Sequence, residues 1–127
     1  MTAFRAGSFS GAGVCVMCHE GLVDASWTDV SLTTHWRSTL MAHAARDPVW
    51  QAKVVSEKTR NPGLAALIEA KCAACHVPMA ETQAEIDGTP VALLDAGFLN
   101  PANPLYVAAQ DGVSCTLCHQ IEPVQVE

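Results

Sequence analysis

Apolar side chains in this chain fall in short clusters three and four residues apart, and nowhere do they alternate with polar ones for long. That spacing gathers side chains on one face of a helix, whereas strict alternation would mark a strand. The longest helical region is predicted where His35, Leu40, Ala42, His43, Ala44 and Ala45 carry the pattern. Ser31 or Thr33 caps its start, and Arg46 suits the negative end of its dipole. Asp47-Pro48 reads as a break and a restart, with Asp as cap and Pro in the first helical position. A second helix is predicted over about 48–59, with Trp50, Val54 and Val55 on its apolar side. Asn61-Pro62 repeats the signal, and Leu64, Leu67 and Ile68 begin a third helix that runs to His76, where Pro78 stops it.

The remaining stretches are less regular. Residues 1–13 are rich in Gly and Ser and form a flexible N-terminal arm, loose or pinned by a neighbour. Gly21 ends the first helical turn, and Trp27 lies in a polar connector. Within 80–102, Asp87-Gly88 is a turn, Val91–Leu94 one helical turn and Asn100-Pro101 a loop. Asn103-Pro104 starts a short helix through Ala109, closed by Gly112. The expectation is a single domain over 1–127, mostly α with long loops and little or no β.

Cysteine usage changes this picture most. All six cysteines fall in three copies of Cys-x-x-Cys-His: Cys15, Cys18 and His19; Cys72, Cys75 and His76; Cys115, Cys118 and His119. This is the attachment signature of a c-type haem. Two thiols three residues apart share a helix face, so both reach one macrocycle edge and add to its two vinyl groups. The histidine that follows becomes the proximal ligand of the iron. Three disulfides or zinc ribbons also use paired cysteines. Neither explains a histidine after every second cysteine, where three of the five histidines sit. The spacing between copies is uneven, which argues against a regular solenoid.

Three haem c groups account for the composition. Half of the residues are hydrophobic, only 16% are charged and the mean hydropathy is +0.19. Large apolar cofactors need apolar walls, and the core is expected to be dominated by them. No run approaches the ~18 apolar residues of a transmembrane helix. The net charge of −6, made more negative by haem propionates, argues against nucleic acid and anionic lipid as partners. It suits redox proteins with basic patches. Haem attachment to cysteine takes place outside the cytoplasm, so a periplasmic or extracellular location is expected. Residues 1–13 lack the features of a signal peptide. The expectation is a removed signal or a piece of a longer chain.

Distal ligands decide the chemistry. Only His35 and His43 lie outside the motifs, so three irons compete for two imidazoles. Methionine also fills a sixth position and raises the potential. The candidates are Met41 and Met79, with Met17 between two haem cysteines read as packing. Met41 points about 200° away from His43 on a helix and would either serve a different haem or pack in the core, the usual role of a helical methionine. A third iron without a ligand takes one from a neighbouring subunit or stays open to small molecules. The aromatics Phe4, Phe9, Trp27, Trp36, Trp50, Phe98 and Tyr106 are expected to pack on haem faces and edges. Ser38, Arg46 and Asp47 either bond propionates or serve as caps and surface charges.

On these motifs the chain resembles the multihaem c-type cytochromes of bacteria and archaea. The segment from Trp36 through His43 to Trp50 is similar to one between the first two haem motifs of large periplasmic and surface members. Asp111-Gly112-Val113-Ser114-Cys115 and Cys118-His119-Gln120 are similar to a later motif. The resemblance covers roughly residues 13–122. It implies closely stacked haems with bis-histidine or histidine–methionine ligation. Members with this segment are often longer and carry more haems, and some polymerise into conductive filaments with shared histidines. Three functions follow as expectations: an electron carrier, not an enzyme; a homo-oligomeric filament subunit; or a haem reductase of a small inorganic substrate. The last needs distal proton donors, for which the chain offers little.

Overall fold

A computed structural model describes residues 1–121; the remaining 122–127 of the expected domain lie outside the described residues. Eight α-helices are present among them: α1 (Ala12–His19), α2 (Leu32–His35), α3 (Leu40–His43), α4 (Pro48–Arg60), α5 (Ala65–His76), α6 (Pro78–Ile86), α7 (Tyr106–Gln110) and α8 (Cys115–His119). Short 3-10 turns at Trp36–Ser38 and Pro62–Leu64 lead into α3 and α5. The fold is mostly helical. Among the described residues no sheet forms, and the extended pairings are two isolated bridges, Arg5 with Ser10 and Val23 with Asp29. No described helix is long and apolar enough to cross a membrane.

The Asp47-Pro48 signal holds, whereas the Asn61 side chain caps nothing and donates back to the Glu57 carbonyl, and Pro62 opens a 3-10 turn ahead of α5. Asp47 accepts the Val49 N–H at 2.8 Å, and Pro48 opens α4. The predicted long helix over the thirties and forties does not form; α4 is the longest helix instead. The hydroxyl residues are the reason. Ser38 donates back to the carbonyls of Thr34 and His35, and Thr39 leaves helical geometry to cap α3 through the Ala42 N–H. Such side-chain bonds compete with the helical ladder. The third predicted helix stops as expected, with α5 ending at His76 ahead of Pro78. Val77 alone separates it from α6, whose first turn Pro78 occupies, where its missing N–H costs nothing.

Val91–Leu94 is extended loop rather than a helical turn. The buried carboxylate of Glu69 accepts the N–H groups of Leu93 and Leu94 at 2.5 and 2.9 Å and pairs with Lys58. This fixes the loop against α4 and α5. The last predicted helix begins at Tyr106, later than Asn103, whose side chain caps Leu105 instead.

The core lies where α4, α5, α6 and α7 meet the 91–99 loop. Trp50, Val54, Val77, Leu93 and Phe98 fill it, and Ala45, Ala73, Ala80, Ala84, Ala108 and Ala109 let the backbones approach. Gly112 is required twice over. Its φ is +65°, and a Cβ there would lie 2.4 Å from the Met41 carbonyl oxygen. Val113 donates to that same carbonyl at 3.0 Å, which ties α3 to the approach to α8.

The N-terminal arm is pinned. Thr2 donates its N–H to Asp111 at 2.6 Å, 109 residues away along the chain. Gly11 and Gly13 leave room for the Thr2 carbonyl, which a Cβ would meet at 2.3 and 2.6 Å.

Candidate functional site

Each Cys-x-x-Cys-His copy forms the closing stretch of a helix with its histidine as the last residue: His19 ends α1, His76 ends α5 and His119 ends α8. The thiols repeat one environment. Cys15, Cys72 and Cys115 are half-buried, whereas Cys18, Cys75 and Cys118 are exposed. All six are free thiols, and no group of three metal-ligating side chains occurs among the described residues. Burial pushes the Cys72 thiol up, and Cys75 adds to the rise. Burial likewise raises Cys115, and Cys15 beside it adds to the effect.

The second turn is the most tightly held. His76 stacks on Trp50, with ring centroids 4.2 Å apart and planes 7° from parallel. Its Nδ1 lies 2.9 Å from the Ala44 carbonyl oxygen. A carbonyl only accepts, so Nδ1 carries the proton and Nε2 keeps its lone pair, the arrangement a metal ligand needs. The Trp50 indole N–H is buried without a hydrogen-bond partner. His76 and His43 line one cavity of about 580 Å³, together with Leu40, Arg46, Asp47 and Pro48. That size falls in the ~300–1,000 Å³ range of cofactor clefts. Leu40 is 91% exposed at its edge, an apolar wall with no protein partner. Two imidazoles and an apolar wall suit a haem.

The third turn is held by polar contacts to the arm, and the first by its neighbour α2. Their histidines, His19 and His119, are exposed. Ser10 and Thr116 bond reciprocally: the Thr116 hydroxyl accepts the Ser10 N–H at 3.2 Å and donates to the Ser10 carbonyl at 2.7 Å. Gln120 donates to the Ser8 carbonyl. Helix α2 packs beside α1, and Thr33 bonds Glu20, the residue after His19.

The distal candidates separate accordingly. His35 ends α2 near the first turn, with Nε2 2.5 Å from the Asp29 carbonyl, which leaves Nδ1 free. Asp29 itself is lowered to about 2 by the Ser31 and Thr34 hydroxyls and the Ser31 N–H. His43 shares its cavity with His76. Met41 lies half-exposed on α3, whose backbone meets the chain entering the third turn. Met79 is fully buried in the core, with its sulfur 3.6 Å from the Thr116 hydroxyl oxygen. Met17 is 86% exposed.

Of the aromatics, Phe9, Trp50 and Phe98 are buried in protein, and Trp27 is 85% exposed. Ser38 and Asp47 act as caps, and Arg46 donates to the Ala42 carbonyl at 2.9 Å. A larger cavity of about 610 Å³, lined by Glu69, Leu94, Phe98 and Leu105 among others, contains no cysteine, histidine or methionine. Sequence reasoning missed Ala44, whose carbonyl carries no sequence signal, and Asp111. The aspartate stood four residues before Cys115, but nothing local marked it as shared. Compared with family models, curated proteins and solved structures, the chain matches none. Its own residues carry the functional reading.

Proposed function

We propose that this protein is an electron-transfer cytochrome carrying three covalent haem c groups. One observation carries the reading. His76 closes a paired-cysteine turn, has its Nδ1 on a backbone carbonyl, and faces a cavity shared with His43. The same cysteine and histidine arrangement occurs at two other helix ends. Cys15 and Cys18, Cys72 and Cys75, and Cys115 and Cys118 would hold the groups by thioether bonds. His19, His76 and His119 would be proximal ligands. His35, His43 and Met41 are the distal candidates for the first, second and third groups in turn. Bound haem supplies reversible one-electron iron chemistry.

The chain's part is to bind, orient and shield. The thioethers prevent loss of cofactor, which an exported carrier has no means of recovering. The Ala44 carbonyl makes the His76 imidazole a stronger donor by drawing on its Nδ1 proton. The alanine-rich core beneath α5 holds that turn still. An acidic surface favours redox partners with basic patches.

Mass spectrometry of the matured protein tests this reading. Three haem adducts, one on each cysteine pair, are expected; a colourless product without adducts overturns it. Carbon monoxide added to the reduced protein then separates carrier from catalyst. A carrier with six-coordinate irons keeps its spectrum, and a shift in one haem's absorbance favours a reductase with an open iron.

A further inference from the structure

The Asp111 side chain is fully buried, and no cation pairs with it among the described residues. A buried carboxylate persists only when donors surround it. Its donors come from opposite ends of the chain. Oδ1 accepts the Thr2 N–H at 2.6 Å, and Oδ2 accepts the Ala12 N–H at 2.6 Å and the Ser114 hydroxyl at 2.7 Å. Ala12 is the first residue of α1, and Ser114 immediately precedes α8. One carboxylate therefore anchors the starts of both helices that carry the first and third cysteine pairs.

A second clamp lies further along. Thr116, between Cys115 and Cys118, bonds Ser10 in both directions. The second turn has separate supports, Trp50 and Ala44.

We infer that Asp111 is a shared positioning residue for the first and third attachment turns, which makes their cofactors a neighbouring pair and leaves the second apart. This rests on the three-haem reading, and the adduct count of the wild-type protein checks that reading separately.

The test is electron paramagnetic resonance of the fully oxidised holoprotein. Two of three ferric signals should be spin-coupled and the third isolated. In Cys72→Ala/Cys75→Ala, which lacks the second haem, the coupled pair should survive while the isolated signal disappears. Asp111→Asn should shift both coupled signals and leave the isolated one unchanged, an effect that general loosening of the fold would not confine to two sites. Where Asp111→Asn does not accumulate, Thr116→Val removes the second clamp and should shift the same two signals. Three isolated signals, a coupled pair that includes the second haem, or equal shifts at all three sites would overturn the proposal.

Discussion

The second attachment turn and the first–third pair present the same five-residue device in two mechanical settings. At the second, a half-buried histidine lies on an indole and against a backbone carbonyl, at the end of a 12-residue helix packed into the core. At the first and third, exposed histidines end helices of 8 and 5 residues that are fastened by buried polar bonds to a terminal arm. Helices this short are marginal on their own, so their order comes from what they are tied to. The same Cys-x-x-Cys-His motif does not carry its own rigidity. Apolar packing provides rigidity in one place, and a shared carboxylate provides it in the other.

The comparison breaks most severely at Trp50. Trp50→Ala removes a core side chain and the surface on which His76 lies, and should cost about 3–5 kcal/mol in unfolding free energy. Thermal and denaturant unfolding of the holoprotein measure the loss. The midpoint potential of one haem should move while the other two stay. Equal movement of all three would show that the two settings are not separate.

A smaller effect is expected on the other side. Gly112→Ala forces a Cβ into left-handed geometry and against the Met41 carbonyl, at a cost of about 2–4 kcal/mol. The third site should feel it first, seen as a changed spectrum of that haem before global unfolding.

The smallest effect is set by pH. Burial acts to raise the Glu69 carboxyl, but the Lys58 ion pair and the N–H groups of Leu94 and Leu93 outweigh it and hold the pKa below the usual value. A lowered folded-state pKa means stability that is present above the unfolded value, about 4.3, and lost as pH falls through the lower folded value. Glu69 lies on α5, three residues before Cys72, so acid should loosen the second turn in particular. Melting temperatures measured through that range should fall more steeply in the wild type than in Glu69→Gln.

Much of this was legible before any coordinates. The Asp47-Pro48 signal located α4 because a cap and a proline act within one turn, and Asn61-Pro62 marked the break before α5 through its proline alone. The Gly112 stop was equally local. The 36–39 interruption was harder, since Ser38 and Thr39 tolerate a helix or break it according to which carbonyls their hydroxyls find. Pro78 marked the end of α5 correctly, but α6 after it was missed because the same residue that ends one helix is well suited to begin the next.

What the sequence determined by itself is the local device on which the haem proposal rests, since two thiols and an imidazole within five residues need no distant partner to be complete. What only the tertiary structure decided is which groups face one another. His43 joins His76 across a cavity, and Asp111 joins Thr2, Ala12 and Ser114. Those juxtapositions come from chain closure and burial. A buried carboxylate must find donors wherever the fold brings them, and at the level of sequence an aspartate 99 residues from its partner looks like any other.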